Sequence, residues 1–149
     1  MSLDIEVDAL KRVPLFRGID PAKLRLLAYI SERIRFRQGE RLCQQGERGE
    51  TAYIILSGKA DVVIRTGEGE RAVAEVRQHD IVGEISILID VPRTASVVAA
   101  TDVTALAISK DNFLKMLTRF PEMGLEVMRV LAHRLERTTR DLARVGRQS

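Results

Sequence analysis

Tryptophan is absent from this 149-residue sequence, which holds one cysteine, two histidines and four prolines. Each shortage excludes something. Cys43 alone cannot close an intramolecular disulfide, so a reducing, cytoplasmic setting is expected, with Cys43 read as a small apolar strand residue. His79 and His133 are too few for a metal centre of clustered imidazoles and carboxylates. Nor does a serine–histidine or cysteine–histidine constellation with supporting residues stand out, so neither catalysis nor a metal is expected. No apolar run approaches the roughly 20 residues that span a bilayer, and Met1-Ser2-Leu3-Asp4 does not read as a secretory signal. A strong charge excess is also missing. The net charge is +3, and tail residues Arg129, Arg134, Arg137, Arg140, Arg144 and Arg147 are diluted by Glu126, Glu136 and Asp141. That is a solvated surface rather than a polymer-binding stripe, so direct contact with nucleic acid is not expected.

What remains is ordinary soluble composition, 45% apolar and 30% charged, and a length that suits one domain over residues 1–149. Three parts differ in period. Residues 1–34 have helical spacing, broken at Pro14 and near Gly18. Asp20-Pro21 is a start signal, followed by apolar Leu24, Leu27, Ala28 and Ile30. Residues 35–108 hold short apolar runs punctuated by glycine: Leu42-Cys43, Ala52 to Leu56, Ala60 to Ile64, Ala72 to Val76, Ser96 to Ala99 and Val103 to Ile108. Gly67-Glu68-Gly69 marks a hairpin, and the whole reads as an antiparallel sheet, closed or sandwiched. Residues 109–149 return to helical period. Ser109 caps a helix through Thr118, Phe120-Pro121 breaks it, and a long last helix follows. There Met128, Leu131, Leu135, Thr138, Leu142 and Val145 step by three and four, the seam of a coiled coil. With fewer than three heptads, that seam either packs on its own barrel, pairs with a second copy, or does both.

The richest segment runs from Gly83 to Ser96: Gly83-Glu84-Ile85-Ser86-Ile87-Leu88-Ile89-Asp90-Val91-Pro92-Arg93-Thr94-Ala95-Ser96. A turn glycine, a carboxylate and a short apolar stretch lead to a proline–arginine pair. This brings an acid and a guanidinium to the ends of a compact loop, with free helix-turn amides between them. Such a loop suits a ligand with a sugar hydroxyl for the acid and a phosphate for the guanidinium. The segment resembles the phosphate-binding cassette of cyclic-nucleotide-binding domains, the family of the bacterial catabolite activator protein and the regulatory subunits of cyclic-AMP-dependent kinase. Arg93-Thr94-Ala95-Ser96 matches that family's ending. Gly46-Glu47 through Gly49, Tyr53, Ile55 and Gly58 resembles its turn–strand–turn signature, whose glycines Gly46, Gly49 and Gly58 are read as serving turns only. Val82 and His79 depart from the pattern, where the family commonly has an aromatic residue and a glycine.

The resemblance implies an α+β, mainly β, antiparallel jelly-roll barrel with N-terminal helices, a short cassette helix and a long C-terminal helix. It also implies roles. Glu84 accepts from the ribose 2′-hydroxyl, Gly83 lets the backbone approach, and Ile85 and Ser86 offer amides to the phosphate. The Ser86 hydroxyl serves either the phosphate or a helix cap. Arg93 meets the exocyclic oxygens, with Thr94 and Ala95 beside it. Thr94 can serve the phosphate or the amino group of a guanine, and the reading favours cyclic AMP over cyclic GMP. Val73 is either an apolar wall for the base or core filling, while Ile87, Leu88 and Ile89 read as core. Arg134, Thr138 and Arg137 are lid residues on the last helix. The expected function is a regulatory sensor that relays occupancy through the C-terminal helix to an unknown effector, with a homodimer through that helix. Its alternatives are a ligand-free dimerisation or docking module and, last, a cupin-type metalloenzyme. The family's transcription factors continue into a helix-turn-helix module after the long helix, and none follows before Ser149.

Overall fold

Apolar spacing at the N-terminus folds as helix, and each helix starts and stops for a local reason. A computed structural model describes residues 2–148; Met1 and Ser149 lie outside the described residues. Helix α1 spans Ser2–Lys11, a single 3-10 turn spans Pro14–Phe16, and α2 spans Pro21–Ile30. The Asp20 carboxylate caps α2 by accepting from the Ala22 amide at 2.9 Å. Pro21 stands at the first helical position, where a missing N–H costs nothing. Leu24, Leu27 and Ala28 are buried beneath it.

Eight strands follow: β1 Glu32–Phe36, β2 Arg41–Cys43, β3 Thr51–Ser57, β4 Ala60–Thr66, β5 Gly69–Val76, β6 Ile81–Val82, β7 Ser96–Ala99 and β8 Val103–Ser109. The helical region predicted to reach Ile34 therefore ends at Ile30. Arg33-Ile34-Arg35-Phe36 alternates with period two and pairs along β8 instead. The strands form two antiparallel sheets, ordered β1-β8-β3-β6 and β2-β7-β4-β5. Thr66 faces Gly69 across the predicted hairpin between β4 and β5. Between β6 and β7 lies the short helix α3, Glu84–Leu88.

Two cores result. One joins the helices to the first sheet, through Leu10, Phe16, Leu27, Ile54, Leu106 and Phe113. The other lies between the sheets and includes Leu42, Ile55, Ala60, Val82, Val97 and Val103. Ile87 is buried in the first core and Leu88 packs on it. Ile89, predicted beside them, is exposed because α3 has already ended. Val73 is 52% exposed, which removes core filling as its role.

The Ser109 hydroxyl accepts from the Asn112 amide at 3.2 Å to start α4, Lys110–Arg119. Phe120 leaves the helix at φ −120° and ψ 86°, and α5 runs from Pro121 to Gln148. Met123 and Val127 are buried, and Leu131 packs partly on the first core. The other described apolar seam residues, Met128, Leu135 and Leu142, are exposed and face away from the barrel. The Val145 side chain lies outside those described. Among the described residues, no helix is long and apolar enough to cross a membrane.

Candidate functional site

The loop between β6 and β7 is shaped by one glycine. Gly83 has φ +89°, and a Cβ there would stand 2.4 Å from the Arg93 Nη1 atom and 2.9 Å from the Thr51 carbonyl oxygen. Only a residue without a side chain lets the guanidinium lie against the start of α3. The backbone of Arg93 is pinned from both sides: its N–H donates to Glu47 O at 2.8 Å, and its carbonyl accepts from Gly46 N at 2.9 Å. Nη1 donates to Gly83 O at 3.0 Å and Nη2 to Thr51 O at 2.6 Å.

Arg93 is only 7% exposed. Its recorded partners are two neutral carbonyls, with no carboxylate among them. A buried cation without a counter-charge is costly, so the position is electrostatically suited to an anion. Its charge is felt nearby. Burial pushes the Cys43 thiol and the Tyr53 phenol above their usual ranges, and the Arg93 charge opposes both shifts. Cys43, Leu42, Thr51, Tyr53 and Arg93 line an open recess of about 430 Å³.

Glu84 begins α3 and is 5% exposed. Arg134, reaching across from the middle of α5, donates from Nη1 to Glu84 Oε1 at 2.9 Å. Arg134 also lines a groove of about 750 Å³ between α5, the 3-10 turn and the β5–β6 connection. That groove is roomier than the Arg93 recess, but the buried guanidinium held by neutral carbonyls is at the recess.

Ile85 and Ser86 occupy the first turn of α3, and Ser86 is buried. Thr94 is exposed and Ala95 half-buried. Val73 stands on the open strand β5. Of the residues expected on a lid, Arg134 reaches the cassette. Arg137 lines the groove, and the Thr138 hydroxyl donates back to Arg134 O at 2.9 Å within its own helix.

Sequence reasoning assigned turns alone to Gly49, and here the structure corrects it. A Cβ at Gly49 would meet the Ser86 Cβ at 2.4 Å and the Arg93 Cζ at 3.3 Å, so its smoothness makes room for the cassette. The family signature contained Gly49, but nothing in its spacing announced that contact. Thr51, whose carbonyl holds Arg93, was missed because any residue supplies a carbonyl. His79, where the family commonly has glycine, takes φ +75°. Among the described residues, no group of three or more His, Cys, Asp or Glu side chains lies together as metal ligands would.

The profile of the cyclic nucleotide-binding domain matches residues 33–120. The chain belongs to that family. It is 33% identical over 137 residues to a Mycobacterium tuberculosis protein described as a CRP-like cAMP-activated global transcriptional regulator, covering 91% of this chain and 61% of the relative. Its fold superposes on the Thermus thermophilus catabolite activator protein with a TM-score of 0.82 at 30% identity, covering 89% of this chain and 63% of that one. The N-terminal domain of a Streptomyces coelicolor A3(2) transcriptional regulator gives a TM-score of 0.74 at 31% identity, covering 88% and 94%. The chain thus spans about three fifths of the length of the bacterial curated relatives it matches.

Proposed function

We propose that residues 1–149 act as one cyclic-nucleotide sensor that takes cyclic AMP ahead of cyclic GMP and relays occupancy through α5. The observation that carries this reading is Arg93, a buried guanidinium whose recorded partners are two neutral carbonyls. A phosphodiester supplies the missing charge, and charge-assisted bonds to a buried arginine are the strong kind. The amides of Ile85 and Ser86, in the first turn of α3, face the same anion. Thr94 and Ala95 flank it.

Glu84 accepts from the ribose 2′-hydroxyl. Arg134 takes one carboxylate oxygen and leaves lone pairs for the sugar. Val73 offers an exposed apolar surface to the base. Preference for cyclic AMP is supported by relatives described as cyclic-AMP-activated or as cyclic-AMP-dependent kinase regulatory subunits. One Thr94 hydroxyl gives only ~1 kcal/mol of discrimination toward guanine.

The chemistry is binding and switching, without catalysis, for a cytoplasmic effector the sequence does not identify. Occupancy reaches that effector if the ligand prefers one position of α5. The exposed Met128, Leu135 and Leu142 on α5 support a homodimer through that helix.

Thermal melts with cyclic AMP, cyclic GMP and 5′-AMP test this. At a hundred times Kd a ligand adds about 2.7 kcal/mol. The melting temperature then rises by roughly 5–10 °C for a chain of this size. The expected order is cyclic AMP, then cyclic GMP, then no shift for 5′-AMP. Equal shifts for 5′-AMP and cyclic AMP would refute recognition of the cyclic phosphate.

A further inference from the structure

Lys23 lies in the first turn of α2, remote in sequence from the cassette, yet its ammonium meets the joint that aims α5. It pairs with the Glu122 carboxylate in the first turn of α5. It also lies 4.8 Å from the centroid of the Phe120 ring, the residue at which α4 stops. Its two partners flank Pro121, so one ammonium holds both sides of the break. The bond to Lys23 is the first cause of the Glu122 carboxyl's being held below the usual carboxylate range.

Leverage makes this joint matter. Arg134 stands twelve residues beyond Glu122, about 18 Å along a helix that rises 1.5 Å per residue. A tilt of about 10° at the joint carries the Arg134 end roughly 3 Å sideways over that length. That matches the whole length of its 2.9 Å bond to Glu84. Met123 and Val127 pack α5 near the same joint, but the helix is increasingly exposed past Leu131. Its angle is therefore fixed close to Pro121 and read out at Arg134.

We infer that Lys23 is a positioning residue for ligand retention, clamping the α4–α5 joint so that α5 delivers Arg134 to Glu84. The inference rests on the cassette being a cyclic-nucleotide site, with Arg134 closing over bound ligand from the lid. Lys23 touches no ligand. It acts on the rate at which the lid opens, hence on dissociation rather than association.

Displacement of a fluorescent cyclic-AMP analogue measures that rate. Part-buried surface ion pairs and cation–π contacts of this kind change equilibria by a few-fold, so Lys23→Met and Glu122→Gln should each speed dissociation roughly three- to fivefold. Association should stay unchanged, and Lys23→Arg should restore the slow rate. In an Arg134→Met background, Lys23→Met should have no further effect. A wild-type rate in Lys23→Met, or the same acceleration without Arg134, overturns the proposal.

A second measurement needs no ligand. Nitroxides at Lys59→Cys and Ala143→Cys, in a Cys43→Ala background, report the angle of α5 to the barrel. Lys23→Met should shift or broaden that distance distribution, and an unchanged distribution overturns the clamp. If the wild type bound no cyclic nucleotide, the functional reading would fail instead, and the nitroxide distances would still decide whether Lys23 aims α5.

Discussion

The two sheets are made of similar short antiparallel strands, yet they are covered very differently. In the first, β3 and β8 bury most of their residues, with Ala52, Ile54, Ala105, Leu106 and Ile108 at 0–1% exposure under the helices or between the sheets. In the second, β5 exposes every residue from Gly69 to Glu75, and Val76 alone is half-buried. The centre of the first sheet, β3 and β8, is thus scaffold fixed by its own packing, while its edge strand β1 is largely exposed. The second leaves apolar surface open on the strand that leads, through Asp80 and β6, into the cassette. A domain that binds something needs both, and the cassette ties them together: Arg93, just before β7 of the open sheet, is held by the Thr51 carbonyl of β3 in the closed one.

That contrast can be broken at either sheet. Leu106→Ala, deep in the closed sheet, is expected to cost about 2–5 kcal/mol of folding stability by urea unfolding, because the cavity left cannot fully collapse. A loss under about 1 kcal/mol would mean the first sheet is not the rigid half. Glu84→Gln keeps the shape and removes the buried charge at the start of α3. Charge-assisted bonds contribute about 1.5–3 kcal/mol, so calorimetry should show cyclic-AMP binding weakened tenfold or more, with the fold intact. Unaltered affinity would move the ribose away from Glu84. Val73→Ser sharpens the comparison from the open side. Stability should stay within about 0.5 kcal/mol, while affinity falls a few-fold as apolar contact with the base is lost. The smallest effect is at Cys43, at the mouth between the sheets. Burial raises its thiol pKa, so at a given pH the folded protein holds less thiolate. The rise of its alkylation rate with pH should therefore lie at higher pH than for a free thiol. A profile displaced to lower pH would show that the Arg93 charge outweighs burial.

Much of this arrangement was legible in the sequence, and the rest was hidden for identifiable reasons. The cassette announced itself because its residue types are chemically demanding: Gly83 needs a positive φ, and Glu84 and Arg93 carry the two charges. The runs of β7 and β8 were marked by small and apolar residues between turn signals. β1 was hidden because its arginines alternate with Ile34 and Phe36 at a sheet edge, too briefly to displace the helical pattern before it. β6 has two residues and no pattern at all. The pairing of Arg134 with Glu84 spans 50 positions; the family resemblance made the arginine a lid candidate, but nothing in the sequence named its partner.

Paired calorimetric titrations of the wild type and Arg93→Ala with cyclic AMP test the central assignment most directly. Removing the guanidinium should weaken binding roughly 30-fold or more. Folding stability should change little or rise, because a buried charge without an acidic partner has been removed. Equal affinities for the two proteins, or a wild type that binds no cyclic nucleotide at millimolar concentration, would contradict it.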